Sequence, residues 1–85
     1  FEIKTSALNR DIKKYVSEFG GYGQKFYYAT QVEKTPMELL LFVNKNKFFA
    51  KKHLDYIEKK IRTQYELSGL PIYIKLREKP TRDRR

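Results

Sequence analysis

KFYYATQVEKTPMELLLFVN, residues 25–44, holds two strand patterns separated by a turn. Residues 25–32 are rich in aromatic and β-branched side chains, which is typical of a strand whose side chains alternate between two faces. After the turn EKTP, residues 38–44 are apolar at both parities. Because a strand with one wet face would alternate, this second pattern predicts a strand that is covered on both faces.

An amphipathic helix pattern precedes these strands. In TSALNRDIKKYVSEF, residues 5–19, apolar side chains recur at helical spacing and form one stripe that faces a core. Thr5 or Ser6 is placed to cap the amino end of this helix, and Gly20 is placed to end it in a left-handed conformation. The pattern therefore predicts a first helix that runs from residue 5 to Gly20.

The letters GGYG, residues 20–23, also fit the G-x-x-G spacing that can clamp a nucleic-acid backbone. Such a clamp lies between two helices, where a helix amino end helps to hold the phosphates. Here the glycines lie between a helix and a strand. We therefore interpret Gly20 as a helix cap, and Gly21 and Gly23 as the turn into the strand.

The pattern changes period after residue 44. Apolar side chains recur at three- and four-residue intervals over residues 49–65, which predicts a long second helix that ends at Gly69. Residues 71–77, PIYIKLR, alternate cleanly and predict a third strand. His53 lies at the margin of the helical stripe, where a hydrogen-bonded boundary role is favoured over a catalytic or metal-binding role.

The element order α-β-β-α-β predicts an α+β fold in which two helices cover one face of a three-stranded sheet. The second helix joins the second and third strands in a crossover, which is normally right-handed. The sequence leaves open which strand is central. Residues 79–85 carry many charges and almost nothing apolar, so we expect a solvated, disordered tail.

Length and composition exclude several classes of protein. The chain has 85 residues, about enough for one domain, and it contains no cysteine and one histidine, which excludes disulfide frameworks and thiolate metal sites. No apolar run reaches the roughly 20 residues of a membrane span, and no signal peptide is recognisable, so we expect a soluble, cytoplasmic protein. The chain begins with Phe instead of Met, which favours a fragment of a longer protein.

Positive charge belongs to the second half of the chain. The formal net charge is +9, and residues 45–85 hold 13 basic and 5 acidic side chains against 6 and 5 in residues 1–44. This excess favours a polyanionic partner. The predicted RNA-contacting residues lie on the polar side of the second helix and just before it: Lys45, Lys47, Lys51, Lys52, Lys59, Lys60 and Arg62. An ordinary solvated face is the alternative, because Asp55 and Glu58 could pair with Lys59 and Arg62.

A second candidate surface is the sheet face that the helices leave open. Alternation places these side chains on it: Lys25, Tyr27, Gln31, Tyr73, Lys75 and Arg77, with Leu40 and Phe42 beside them. Aromatic rings between basic groups can stack on unpaired bases, and the same composition suits a protein interface. Since the second strand is apolar on both sides, a wet face would expose leucine and phenylalanine, so protein docking is favoured.

Several motifs in register resemble one family. The pattern K-x-Y-Y-A-T-Q-x-x-x-x-P-x-x-x-x-L-F-V-N is matched by Lys25, Tyr27, Tyr28, Ala29, Thr30, Gln31, Pro36, Leu41, Phe42, Val43 and Asn44. Together with TSALN at residues 5–9, YIEKKIR at 56–62 and GLPIYIKLREK at 69–79, it resembles the C-terminal KH-like domain of the bacterial ribosome-assembly GTPase Der, also called EngA. The chain departs from the family at Lys59, at His53 and in the loop GGYGQ.

The resemblance implies a KH-like domain over residues 5–78, with residues 1–4 as the end of an interdomain linker and 79–85 as a basic tail. It also implies a parent with two tandem GTPase domains, which bind GTP and Mg²⁺ and act in maturation of the large ribosomal subunit. This chain has no G-x-x-x-x-G-K-[ST] motif and no catalytic constellation, so we expect no enzymatic activity and no cofactor in it.

The partners expected from the resemblance are ribosomal RNA in the large subunit and the parent's own GTPase domains, with the isolated chain a monomer associated with ribosomes. A purely structural docking domain without RNA contact is the alternative. Binding to an anionic membrane is disfavoured because the second helix uses its apolar side against the sheet.

Overall fold

The computed structural model describes residues 1–19 and 23–79. In these residues the elements are α1 (Thr5–Ser17), β1 (Phe26–Lys34), β2 (Met37–Val43), a short 3-10 turn (Asn46–Phe48), α2 (Lys51–Tyr65) and β3 (Ile72–Glu78). The predicted α-β-β-α-β order and the α+β class are confirmed. The predicted cap at Gly20 and residues 80–85 of the predicted tail lie outside the described residues.

The sheet has the order β1-β2-β3, so β2 is the central strand. β2 runs antiparallel to β1, and Leu41 of β2 aligns with Ala29 of β1. It runs parallel to β3, and Leu39 of β2 aligns with Ile74 of β3. The parallel pairing follows from the crossover through α2, because a helix between two strands of one sheet returns the chain in the same direction. The strand order that the sequence left open is thus settled.

The core lies between the two helices and one face of the sheet. Its largest completely buried side chains come from both helices and the central strand: Leu8 and Ile12 on α1, Leu39, Leu41 and Val43 on β2, and Ile57 and Ile61 on α2. On β2, every second residue belongs to this set, while the residues between them are half-buried on the other face. The helices therefore cover only one face of β2, although its apolar pattern predicted cover on both.

The ends of both helices differ from their predicted positions. Lys4 is the cap residue of α1, so Thr5 and Ser6 lie inside the helix and provide no side-chain cap. α2 ends at Tyr65 because Glu66 takes a left-handed conformation with φ 53°, and the Leu67 N–H then bonds to a carbonyl of the last turn. The prediction that Gly69 ends the helix is therefore wrong.

A bulge reverses the predicted faces of β1. Phe26 aligns with Val43 and Tyr28 aligns with Phe42, so Tyr27 is an extra residue in β1. A bulge shifts the alternation by one, so Ala29 and Gln31 face the helices until a second register shift between Gln31 and Glu33. Ala29 is completely buried as a result. The prediction that Gln31 lies on the open face is wrong, and Tyr28 lies there instead.

Three side-chain amides attach neighbouring segments to β1. The Asn9 amide on α1 bonds both the N–H and the carbonyl of Ala29, each at 2.8 Å. The Gln31 amide accepts a hydrogen bond from the Ile3 N–H and donates one to the Phe1 carbonyl. The Asn44 amide bonds the Lys25 N–H and the Gly23 carbonyl in the same way. The Asn9 bonds satisfy backbone groups that the edge strand β1 would otherwise leave to water, and the other two amides hold segments that lie beside β1.

Candidate nucleic-acid interface and docking surface

The polar side of α2 presents the predicted basic residues to solvent. Lys51, Lys52, Lys59 and Lys60 are exposed, and Arg62 is half-buried. At 3.6 residues per turn, Lys52 and Lys59 lie almost in line, two turns apart on the side opposite the buried Ile57. Lys45 and Lys47 are exposed just before the helix. The structure therefore presents the α2 lysines on the exposed part of one helix, with Lys45 and Lys47 exposed on the segment that leads into it.

Two of these cations are already engaged within the chain. The Arg62 guanidinium pairs with Glu58 at 2.9 Å and also donates to the carbonyls of Leu67 and Leu70 at 3.0 and 2.6 Å. The Arg62 guanidinium therefore anchors the segment that follows α2 to the helix. Lys51 pairs with Asp55 at 3.2 Å on a fully wet surface, where such a pair stabilises little and breaks easily.

The other α2 lysines have no carboxylate partner within residues 1–19 and 23–79. This holds for Lys52, Lys59 and Lys60. The Lys60 ammonium lies 5.4 Å from the centroid of the Tyr56 ring, at the distance of a cation–π contact. Lys47 sits over Phe48 in a similar way at 5.7 Å. These ammonium groups keep their hydrogen-bond donors for an external anion.

Tyr56 connects α2 to the end of α1. Its hydroxyl donates to the Glu18 carboxylate at 2.5 Å, and its ring packs edge-on against Phe19. The hydrogen bond to Glu18 raises the pKa of Tyr56 above its ordinary value because the carboxylate favours the protonated phenol. The ring under Lys60 is thus fixed in place at neutral pH.

A second bond between the helices lies deeper. The Tyr65 hydroxyl donates to Asp11 at 2.6 Å, and Asp11 is buried between α1 and α2. Burial and this hydrogen bond raise the pKa of Tyr65 to about 12. Burial, with the negative charge of Asp11 nearby, also raises the pKa of Tyr15. These tyrosines remain neutral and structural around neutral pH, so they offer no acid–base chemistry there.

The open face of the sheet carries aromatic and aliphatic side chains. Tyr28 and Tyr73 are 46% and 51% exposed, and the half-buried Leu40 and Phe42 lie between them on β2. The Tyr28 and Phe42 rings are 6.5 Å apart. A shallow depression of about 320 Å³ adjoins these rings and is closed by Glu78 and Lys79. The open face is therefore an apolar surface with a polar rim.

Of the three basic residues predicted for this face, two lie on β3 and one lies just before β1. Lys75 and Arg77 are exposed beside Leu40 and Phe42, and Lys75 pairs with Glu38 at 3.4 Å. Lys25 is exposed just before β1. The structure thus brings Tyr73, Lys75 and Arg77 together, and Gln31 is separated from them. Alternation does not predict Tyr28 on this face, because the bulge contains no glycine that would indicate the change of parity.

His53 makes structural contacts at the start of α2, as its place at the margin of the helical stripe predicted. Its Nδ1 accepts a hydrogen bond from the Ala50 N–H at 3.0 Å, which satisfies one backbone donor at the start of α2. Its ring packs 4.6 Å from the Phe19 ring. Within the described part of the chain, no three acidic or histidine side chains form a group that could hold a metal ion. Neither α1 nor α2 is long and apolar enough to cross a membrane.

Comparison with known proteins gives consistent results over nearly the whole chain. Residues 2–77 match the family model described as KH-domain-like of EngA bacterial GTPase enzymes, C-terminal. A protein named GTPase Der from Nostoc punctiforme is 37% identical over 87 residues, which cover 95% of this chain and 19% of that protein. The GTPase Der of Deinococcus deserti is 34% identical, with 91% of this chain and 19% of the relative covered.

A third relative, the GTPase Der of Leptospira borgpetersenii, is 32% identical over 81 residues. The match covers 89% of this chain and 17% of that protein. The chain therefore spans less than a fifth of the length of these curated relatives.

Proposed function

Since the chain belongs to the family of KH-domain-like C-terminal domains of EngA bacterial GTPases, we propose that it is a non-catalytic module of a ribosome-biogenesis GTPase. In this proposal the polar side of α2 contacts ribosomal RNA of the large subunit, and the open face of the sheet docks on the GTPase domains. GTP and Mg²⁺ bind to those domains. The parent acts in the cytoplasm and associates with ribosomes.

The lysines of α2 support the RNA contact. Lys52, Lys59 and Lys60 have no carboxylate partner in the described residues, and they lie on an exposed helix surface. Ammonium groups on flexible stems suit phosphate contacts that position a protein without reading sequence. This cluster of unpaired lysines is the observation that carries the proposal.

The open sheet face supports the protein contact. Tyr28 and Tyr73 expose about half of their surface around Leu40 and Phe42. Aromatic residues at the centre of a surface with a charged rim are typical of protein interfaces. The GTPase domains of the relatives are the partner that the same polypeptide would supply. Exchange of the nucleotide would move this contact and so change which surface of the module meets the ribosome.

A docking module without RNA contact is the second candidate. The Lys51–Asp55 and Arg62–Glu58 pairs favour it, because they show that part of the basic surface is neutralised within the chain. The two candidates differ in salt dependence. Phosphate contacts release counterions, so RNA affinity falls steeply as salt rises, whereas an apolar docking surface responds weakly.

The test is binding of the chain to purified large ribosomal subunits, and to a generic structured RNA, across a salt titration. We expect steep loss of affinity with salt and a preference for the subunit. Changing Lys52, Lys59 and Lys60 together to Glu lowers both the affinity and the salt slope. The matched control reverses Lys75, Arg77 and Lys79 on the opposite side of the sheet, which removes the same charge. No binding at low salt would contradict RNA contact and leave the docking module.

A further inference from the structure

We infer that Lys59 and Lys60, supported by the Tyr56 ring, form a binding subsite for two phosphates of an RNA backbone. The subsite is a shallow depression of about 280 Å³ on α2 that is lined by Tyr56, Lys59, Lys60 and Thr63. It rests on the proposed function and identifies where on the basic surface the backbone binds.

The two lysines differ from the other cations of α2. Lys51 and Arg62 already hold Asp55 and Glu58. Lys59 and Lys60 have no carboxylate partner among residues 1–19 and 23–79, and both border the same depression. Two adjacent ammonium groups at one concave site can contact neighbouring phosphates, whereas isolated surface lysines contact them singly.

Tyr56 positions Lys60. The ammonium lies 5.4 Å from the ring centroid, and the phenol is held by Glu18 while its ring packs on Phe19. Because its hydroxyl is engaged, Tyr56 offers a ring face and no spare donor. A lysine held over such a face loses less side-chain entropy when it binds an anion. Tyr56 is therefore a positioning residue.

The remaining polar groups define the ligand. The Thr63 hydroxyl donates to the Lys59 carbonyl at 3.1 Å, so the two ammonium groups are the donors that the depression offers. Glu18 lies next to Tyr56 and its negative charge opposes a bound phosphate. A site with two cations and one nearby anion binds a single phosphate weakly. It fits a polymer whose other phosphates are held elsewhere on the same surface, so the ligand class is the RNA backbone and not a free nucleotide.

The test measures binding of the chain to a short RNA hairpin by fluorescence anisotropy over a salt series. The variant K59Q/K60Q is compared with K13Q/K14Q, a pair of consecutive lysines on α1 that are also exposed. Two phosphate contacts predict that K59Q/K60Q lowers the slope of log affinity against log salt by about 1.4 to 1.8. The affinity falls about tenfold or more at low salt. K13Q/K14Q changes the slope by much less, and equal changes in the two pairs would overturn the subsite.

Two Tyr56 variants test the positioning role. Tyr56→Phe keeps the ring and loses the bond to Glu18, whereas Tyr56→Leu removes the ring under Lys60. We expect Tyr56→Leu to lower the affinity for the hairpin at low salt while the slope stays near the wild-type value, because both ammonium groups remain. Tyr56→Phe should leave the affinity near the wild-type value, with circular dichroism confirming that both variants fold. Equal affinities in the two variants would overturn the role of the ring.

The outcomes separate the subsite from the function on which it rests. If the wild-type chain does not bind the hairpin, both are wrong. If it binds with a steep salt slope that K59Q/K60Q does not change, only the subsite is wrong. Poly-glutamate serves as a second polyanion. Equal binding of poly-glutamate, with the same dependence on these lysines, would overturn the assignment to phosphate.

Discussion

Leu40 and Leu41 are consecutive residues of the central strand, yet their surroundings are opposite. Leu41 is completely buried beneath both helices, whereas Leu40 is half-buried between exposed tyrosines on the open face. Both faces of β2 carry large apolar side chains, but the described residues of this chain cover only one of them. An apolar pattern on both parities can thus indicate a strand whose second face is covered by another protein surface.

The comparison extends to the charges. On the open face the lysine nearest to Leu40, Lys75, is paired with Glu38, so that surface is apolar and nearly neutral at its centre. The polar side of α2 has the opposite character. Its apolar groups are few, and Lys52, Lys59 and Lys60 have no carboxylate partner in the described residues. One surface suits a protein partner and the other suits a polyanion.

The largest expected effect comes from the two leucines. Leu41→Ala leaves a cavity in the core and lowers the free energy of unfolding by about 3 kcal/mol. Leu40→Ala removes a half-exposed side chain and costs less than about 1 kcal/mol. Urea denaturation of the two variants measures the difference. Equal losses of unfolding free energy would show that the open face is covered within this chain, which would contradict the difference between the two faces of β2.

The next effect concerns docking. Replacing Tyr28 and Tyr73 by Ala removes the exposed rings and weakens binding to the GTPase domains of a Der protein about 30-fold, equivalent to about 2 kcal/mol. The free energy of unfolding changes little, because both rings are about half exposed. Isothermal titration calorimetry against those domains, supplied without their own C-terminal domain, measures the loss. The matched control is K59Q/K60Q, which should bind them normally.

A smaller effect tests how the covered side is held at its edge. Asn9→Ala leaves the Ala29 N–H and carbonyl without their side-chain partner in a partly buried position, and we expect a loss of about 1 to 2 kcal/mol of unfolding free energy. Asn44→Ala removes a similar pair of bonds at an exposed position, where water replaces them at lower cost. Denaturation curves in which Asn44→Ala costs as much as Asn9→Ala would contradict this ranking.

The smallest effect is a pH dependence between the helices. Folding raises the pKa of Tyr65 from 10.0 to about 12, so its bond to Asp11 contributes stability in full below pH 10. That stability is lost as the pH rises through about 12, because ionised Tyr65 has no proton to donate and is repelled by Asp11. The stability difference between wild type and Tyr65→Phe should therefore shrink over this range. A constant difference in urea denaturation would contradict it.

Regular periodicity explains how much of this fold was predictable. The helical and alternating patterns predicted the order of elements, and the resemblance predicted the family. The bulge at Tyr27 was not predictable, because it contains no glycine and the register depends on partners across the sheet. The end of α2 was missed for a related reason, since Glu66 adopts a conformation that usually indicates glycine.

Three of the residues in the family motifs form hydrogen bonds to the main chain. Asn9, Gln31 and Asn44 each make at least two hydrogen bonds to main-chain groups in β1 or beside it. They therefore predicted the fold well and the candidate site poorly. Whether a lysine on α2 can bind an external anion depends on how the nearby carboxylates are paired, for example Glu58 with Arg62. These pairings are known only from the folded structure.

An exchange experiment tests whether the two surfaces have separate partners. The Tyr28→Ala/Tyr73→Ala variant and the Lys52→Glu/Lys59→Glu/Lys60→Glu variant are each titrated with large ribosomal subunits and with the GTPase domains of a Der protein. We expect the lysine variant to lose only subunit binding and its salt slope, and the tyrosine variant to lose only docking. A tyrosine variant that loses subunit binding as strongly as the lysine variant would contradict the separation.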